Sequence, residues 1–123
     1  MYMNTVNKSS SLSPIVRRSI KYIETNYSNN CSLSTLCEIL NINKSYLCRL
    51  FKKETGLTFT NYVNIFKIEK SKTLLNNKNV SLLDVAISCG FNNQCHYSTT
   101  FKKITGYCPM DYRKHLLKTL YNA

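Results

Sequence analysis

The stretch FKKETG at residues 51–56 returns as FKKITG at residues 101–106, so five of the six residues are identical at a spacing of 50. Tyr62 is matched by Tyr112 at the same spacing. A repeat at a fixed spacing indicates two copies of one supersecondary unit. Apolar side chains around both copies recur every three or four residues, and the chain has only three glycines and two prolines. This pattern predicts helices throughout.

Each copy is a short predicted helix, a tight turn and a second short helix. Ser32 is matched by Ser81 at a spacing of 49, so the second copy carries one extra residue. We place it in the turn, where residues 89–91 stand opposite residues 41–42. A narrow apolar inner face and a polar, basic outer face on such a pair of helices are typical of the helix-turn-helix motif.

The whole chain is therefore predicted to be all-α, with two helix-turn-helix subdomains joined by a long linker helix and about seven helices in total. The first two predicted helices begin at Ser13-Pro14 and at Ser32. The next four cover residues 44–55, 58–77, 81–90 and 93–105, and the last begins at Pro109. The predicted organisation is a flexible N-terminal segment at residues 1–12, a first subdomain at 13–56, the linker helix at 57–79 and a second subdomain at 80–123. The residues predicted to face inward are Val16, Ile20, Ile23, Tyr27, Leu33, Leu36, Leu40, Leu47, Leu50, Phe51, Phe59, Tyr62, Val63, Phe66, Leu74, Leu75, Leu82, Val85, Ala86, Tyr97, Phe101, Ile104, Tyr112, Leu116 and Leu120.

The charge balance points to a polyanionic partner. Seventeen Lys and Arg stand against six Asp and Glu, which leaves a net charge of +11 in 123 residues. Nucleic acid and an anionic membrane surface both fit such a charge. No apolar run approaches the ~20 residues of a membrane span, and the first twelve residues lack the apolar centre of a signal peptide. We therefore expect a cytoplasmic protein without a membrane partner.

The cysteines and acidic residues do not form a recognisable chemical site. The six cysteines contain no C-x-x-C pair, the spacing typical of zinc sites, so we expect reduced thiols, no metal and no cofactor. Cys95 and His96 are adjacent, and adjacent residues on a helix point away from each other. Without a carboxylate pair or a phosphate-cradling glycine loop, the sequence argues against an enzyme.

Several motifs together resemble the DNA-binding domain of the AraC/XylS family of transcription regulators. They are YLCRLFKKETG at residues 46–56, IEK at 68–70 followed by Leu74-Leu75, GFNNQ at 90–94, FKKITG at 101–106, and Pro109 with Tyr112-Arg113. The resemblance covers residues 15–113 and is nearest to the small stand-alone members, the MarA, SoxS and Rob group. It implies double-stranded DNA as partner and recruitment of RNA polymerase.

The predicted DNA-reading residues lie on the second helix of each motif, whose outer face is set by the 3.6-residue period. In the first motif the family's base-reading positions fall on Ser45, Cys48 and Arg49. Arg49 is the strongest candidate, because a guanidinium pairs with both acceptors on a guanine edge; a phosphate contact or a solvated charge is the alternative. In the second motif the predicted base-reading residues are Gln94, Cys95, His96, Ser98 and Thr99.

A second group of residues is predicted to contact phosphates, since flexible cations near helix ends supply charge with little base discrimination. These are Lys44, Lys52, Lys53, Lys102, Lys103 and Arg113. Some positions depart from the family. Lys67 stands where an arginine is usual, Thr99 where an arginine is frequent, Ser71 and Cys37 where alanines are customary, and Cys108 where a serine or threonine is common.

The predicted linker helix of about 20 residues would be ~30 Å long, whereas successive major grooves lie ~34–36 Å apart. One monomer is thus expected to place both recognition helices in adjacent grooves of an asymmetric site. We expect the first motif to carry most of the sequence discrimination, since the second offers mainly short polar side chains.

The leading functional expectation is a sequence-specific activator, with antibiotic-resistance or stress genes as the targets implied by the small relatives. The alternatives are a virulence or plasmid-borne regulator of the same fold, an architectural DNA-binding protein with little sequence preference, and a redox switch that uses Cys48 and Cys95. His96 adds the option of pH-sensitive binding.

Overall fold

The computed structural model describes residues 11–122, with side chains up to His115, and its regular structure consists of helices. They are α1 (Pro14–Asn26), α2 (Leu33–Leu40), α3 (Lys44–Thr55), α4 (Phe59–Leu75), α5 (Leu82–Ser88), α6 (Gln94–Thr105) and α7 (Pro109–Asn122). No strand occurs in residues 11–122. The predicted all-α fold with two helix-turn-helix motifs and a long linker helix is confirmed.

Helix boundaries follow local capping signals, which is why most of them could be predicted. A Ser or Asn side chain accepts a hydrogen bond from the backbone N–H three residues later, which satisfies one of the unpaired donors of a helix start. These caps are Ser13 for α1, Ser32 for α2, Asn43 for α3, Ser81 for α5 and Asn93 for α6. Gly56 and Gly106 end α3 and α6 in the left-handed conformation, with φ of 81° and 88°.

The described part of the chain divides into two compact units whose boundary lies between Ile65 and Phe66, inside α4. The first part of α4 thus belongs to the first unit and the second part to the second unit. The predicted organisation, in which the linker helix is a segment of its own, stays a prediction.

The first unit packs α1, α2, α3 and the start of α4 around a shared apolar core. Phe51 of α3 is fully buried, and its ring meets the rings of Phe59 and Tyr62 edge-on at centroid distances of 5.9 and 5.3 Å. Val16 and Ile23 of α1 are equally buried. Because α3 contacts α1 and α2 and its Phe51 ring packs against two rings of α4, its outer face has a defined orientation within the unit.

The turns of the two motifs have the same hydrogen-bonded geometry. Ile42 N–H donates to Cys37 O at 3.1 Å, and Phe91 N–H donates to Ala86 O at 2.9 Å. The residue before each donor is left-handed, Asn41 with φ 52° and Gly90 with φ 91°. These equivalent positions are still 49 residues apart, whereas the caps of the recognition helices, Asn43 and Asn93, are 50 apart.

The extra residue of the second copy is therefore Asn92, and its predicted place at residues 89–91 is wrong. The turn keeps its hydrogen bond, and the insertion lengthens the connection between the turn and the cap of α6 instead.

The second unit has its own core under α6. It consists of Ile68, Leu75, Val85, Ala86, Cys89, Phe91, Tyr97 and Phe101. Rings dominate it: Tyr97 lies between Phe91 and Phe101, at centroid distances of 5.3 and 5.7 Å. The aromatic core fixes α6 against α5 and the second part of α4.

The linker helix is shorter than predicted, because α4 ends at Leu75 and not at Asn77. Arg113 donates from Nε to Leu75 O at 3.1 Å and from Nη2 to Val80 O at 2.8 Å. Asn77 N–H bonds back to Leu74 O, as in a tightened final turn. With 17 residues, α4 has a length of about 25 Å.

Some expectations fall outside the described residues. Residues 1–10 of the predicted N-terminal segment and the side chains of Leu116 and Leu120 are among them. Leu12, at the end of that segment, is described and is buried. Within the described range, no helix combines the length and apolar character that a membrane span requires.

Candidate nucleic-acid interface

Helix α3 presents the residues predicted to read DNA in the first motif. Leu47 and Phe51 on its inner face are fully buried, which directs the opposite face outward. Ser45 and Arg49 are exposed and Cys48 is half-buried. Their base-reading role stays a prediction.

Arg49 lines a groove of about 570 Å³ that is formed by α3, the start of α4 and the first residue of α2. The groove is lined by Leu33, Cys48, Arg49, Lys52, Lys53, Thr58, Phe59 and Thr60. Thr58 caps α4, since its Oγ1 accepts from Asn61 N–H at 3.1 Å. The first N–H groups of a helix have no partner within the helix and attract anions. Lys52 and Lys53 beside a helix start make this groove suitable for a phosphate.

Sequence reasoning missed Thr58 and Thr60 as candidate site residues. Thr58 is the residue before α4 and Thr60 lies in its first turn, and this helix was interpreted only as a linker. The cap signal at Thr58 was present, but its place beside Arg49 depends on how α4 packs against α3. A search for helix starts next to the recognition helix would have found it.

Helix α6 presents the second set of predicted residues. Gln94, Cys95, His96 and Thr99 are exposed, and Ser98 is half-buried. The inner face carries Tyr97 and Phe101, both fully buried. The five predicted readers include no arginine or lysine, so this face offers hydrogen bonds through shorter polar side chains.

The start of α6 is tied to α4 through Lys67. Lys67 Nζ donates to Gly90 O at 3.0 Å and lies 5.2 Å from the centre of the Phe91 ring. The Phe91 ring in turn meets the His96 ring edge-on at 5.3 Å. Lys67 thus makes an intramolecular contact that steadies the turn of the second motif. His96 packs against this turn as well as facing solvent.

Five of the six predicted phosphate contacts are exposed lysines: Lys44, Lys52, Lys53, Lys102 and Lys103. The sixth prediction, Arg113, is wrong. Its side chain is only 6% exposed, and it donates to Leu75 O and Val80 O. A guanidinium held by two carbonyl groups inside the second unit does not reach a phosphate. Its position in the sequence did not reveal this burial.

The cysteines are all free thiols, and two of them are buried. Burial raises the pKa of the Cys37 thiol, and nearby Cys48 raises it further against the opposing effect of Lys44. Burial raises the pKa of Cys89 to about 11. Both thiols are therefore protonated at neutral pH and pack as small apolar groups.

Comparison with known proteins supports the interpretation of this chain as a helix-turn-helix DNA-binding domain. The family described as a helix-turn-helix domain matches residues 36–115. An HTH-type transcriptional regulator encoded in the cgkA 5' region of Pseudoalteromonas carrageenovora is 34% identical over 100 residues, which are 81% of this chain and 59% of that protein. The raffinose operon regulatory protein RafR of Pediococcus pentosaceus is 31% identical over 79% of this chain and 35% of its own length. The chain thus spans only part of these relatives.

Solved structures show the same fold. The C-terminal domain of AraT, a response regulator of Geobacillus stearothermophilus, is 35% identical with a TM-score of 0.81, covering 85% of this chain and 88% of that one. The DNA-binding domain of AdpA, solved with a target DNA, is 20% identical with a TM-score of 0.74, covering 84% of this chain and 93% of that one, and shares the fold. Two helix-turn-helix motifs, the linker helix and these matches agree: the chain belongs to the AraC/XylS family and contains that family's DNA-binding domain.

Proposed function

We propose that this protein regulates transcription by binding a specific, asymmetric DNA site as a monomer, with α3 and α6 each in a major groove. The observation that carries the proposal is the outer face of α3. It presents an exposed arginine, Arg49, between half-buried Cys48 and the exposed Lys52 and Lys53. None of these three cations has an ion-pair partner among the described residues, so each is available for DNA.

The two recognition helices are proposed to contribute differently. Arg49 on α3 has the bidentate geometry that distinguishes guanine from the other bases. On α6, Gln94 is the one predicted reader able to pair with both groups on an adenine edge, and its neighbours make shorter contacts. We therefore assign most of the sequence discrimination to the half-site under α3, and register and backbone contacts to α6.

The DNA is proposed to bend toward the protein. Helix α4 has a length of about 25 Å, which is less than the ~34–36 Å between successive major grooves on one side of a duplex. Bending a short site costs roughly 1–6 kcal/mol, so flexible base steps between the half-sites would be favoured.

The proposal is tested by selecting bound sites from a random pool of about 25-base-pair duplexes at physiological salt. We expect one asymmetric motif with two separate half-sites. Arg49→Ala should degrade one half-site and weaken binding to the selected sequence by roughly 5–150-fold, the value of a bidentate contact of ~1–3 kcal/mol. Lys78→Ala is the matched control, since Lys78 is exposed in the loop between α4 and α5.

The assignment of Arg49 would be contradicted if Arg49→Ala and Lys78→Ala lost the same affinity for the selected sequence. It would also be contradicted if Arg49→Ala left both half-sites of the selected motif intact. A stronger half-site under α6 would contradict the proposed division between the motifs. Selection of no motif at all would favour the architectural alternative.

The genes controlled are proposed from similarity to other regulators. The resemblance to the small family members favours activation of antibiotic-resistance or stress genes through recruitment of RNA polymerase. Relatives named for the raffinose and melibiose operons favour a second candidate, sugar-utilisation genes. Sequencing the RNA of the source organism with and without this gene distinguishes them, because increased transcripts next to the selected motif identify both the targets and the direction of control.

A further inference from the structure

A second groove of about 470 Å³ lies between α1 and α2 of the first unit, and α3 contributes no residue to it. Its lining combines three cations with an apolar floor and contains no acidic side chain. The lining residues are Pro14, Arg17, Arg18, Lys21, Tyr22, Thr25, Asn26, Leu36, Ile39 and Leu40. None of the residues proposed to read DNA is among them.

The walls of this groove are held in place before anything binds. The Tyr22 hydroxyl donates to Asn30 O at 3.2 Å and accepts from Ser32 N–H at 3.1 Å, which joins the side chain of α1 to the start of α2. Arg17 donates from Nη1 to Leu12 O at 2.8 Å. A preformed groove loses little conformational entropy on binding.

The apolar part of the groove decides which kind of partner it fits. Ile39 is 57% exposed and lies in the same groove as exposed Arg18 and Lys21. A phosphate backbone would pair with the cations but would bring no apolar surface to cover Ile39. A protein segment with carboxylates and an apolar side chain complements both features.

We propose that this α1–α2 groove binds an acidic segment of a partner protein that carries at least one apolar anchor side chain. The anchor covers Ile39 and the floor formed by Leu36 and Leu40, and the carboxylates pair with Arg18 and Lys21. Because the groove and the DNA-reading residues are different sets, one molecule holds DNA and the segment at once. The inference does not depend on the proposed DNA specificity.

The test is a selection of peptides of about 12 residues, displayed on phage, against the full chain saturated with duplex DNA of about 25 base pairs. The duplex occupies the recognition helices and removes general attraction by the net charge. We expect the selected peptides to be rich in Asp and Glu with Leu or Phe among them. Their dissociation constants are then measured by fluorescence anisotropy.

Two groove variants and two matched controls complete the design. Ile39→Ser and the double variant Arg18→Ser with Lys21→Ser should each weaken peptide binding by about ten-fold or more, as expected for anchor residues. Ile87→Ser and Lys78→Ser are the controls, since Ile87 is 51% exposed on α5 and Lys78 is exposed outside the groove. Both should leave the affinity within about two-fold. Duplex binding and the thermal midpoint show that each variant is folded.

Three results would overturn the proposal. The first is that no selected peptide combines acidic residues with an apolar one. The second is that the groove variants and the control variants lose the same affinity. The third is that peptides bind only when the duplex is omitted. The last result would show that the peptides bind through general attraction to the positive charge that the duplex occupies.

Discussion

At the scale of single residues, the guanidinium of Arg113 holds the end of α4 to the loop that follows it. Arg113→Ala leaves Leu75 O and Val80 O without their donors inside the protein. We expect the free energy of unfolding, measured by urea denaturation, to fall by about 2–4 kcal/mol.

Lys114→Ala is the matched control, because the neighbouring side chain is exposed and its loss should cost less than about 0.5 kcal/mol. If Arg113→Ala weakens DNA binding but leaves the stability unchanged, the structural role is contradicted. Arg113 would then be assigned to a phosphate contact after all.

Cys89 makes stability depend on pH in the alkaline range. Burial raises the pKa of its thiol from 9.0 to about 11. The folded state therefore keeps the proton to higher pH than the unfolded state does. The contribution of Cys89 to the free energy of unfolding is fully present below pH 9 and declines as the pH rises from 9 toward 11.

We expect Cys89→Ala to reduce this decline in urea denaturation series at pH 7.5, 9.0 and 9.5, below the range in which the raised pKa values of Tyr62 and Tyr97, about 12, take effect, while Cys95→Ala, at an exposed position, does not reduce it. A decline of the same steepness in both variants would assign the effect to other groups.

At the scale of elements, the turn of the first motif depends on a left-handed residue. Asn41 has φ 52°, and its N–H donates to Cys37 O and Glu38 O at the end of α2. Asparagine and glycine tolerate this conformation better than alanine does.

Asn41→Ala should therefore destabilise the fold by about 1 kcal/mol, whereas Asn41→Gly should have a smaller effect. The pair is compared by thermal unfolding, with specific DNA binding as a second readout, since the turn orients α3. Equal stability of the two variants would show that the left-handed turn is not the cause.

The elements also differ in how far they were predictable. Most helices begin at a Ser or Asn cap, a signal carried within four residues, and those starts agree with the structure to within about one residue. The end of α4 depends on Arg113, which is 38 residues away from Leu75. The position of Asn92 as the extra residue depends on two hydrogen-bonded turns that only the backbone reveals.

At the scale of the whole molecule, the net charge of +11 determines how binding responds to salt. Each phosphate contact contributes about −0.9 to the slope of log affinity against log salt. Lys52→Ala should lower the magnitude of that slope by about 1, equally for specific and random duplexes, and Lys78→Ala should not.

A specific regulator should exceed its own random-sequence affinity by about 10³ or more at physiological salt. The same titration thus separates the two functional classes, because a steep slope with no sequence preference would identify an architectural protein.

The sequence alone determined the all-α class, the duplicated helix-turn-helix motif, most helix boundaries and the exposed faces of α3 and α6. These properties depend on local signals: the 3.6-residue period, the caps and the spacing of the repeat. It also predicted the exposed lysines, because a lysine on the polar face of an amphipathic helix points to solvent.

Only the tertiary structure decided that Arg113 is buried and that Thr58 and Thr60 lie beside Arg49. It also decided the contact of Lys67 with Gly90 and the groove between α1 and α2. The partners in these contacts come from different elements, 38 residues apart for Arg113 and Leu75 and 23 apart for Lys67 and Gly90. Periodicity within a helix shows which face is outward. It does not show which other element lies beside that face, and that neighbour decides whether a cation meets solvent, a carbonyl group or an apolar floor.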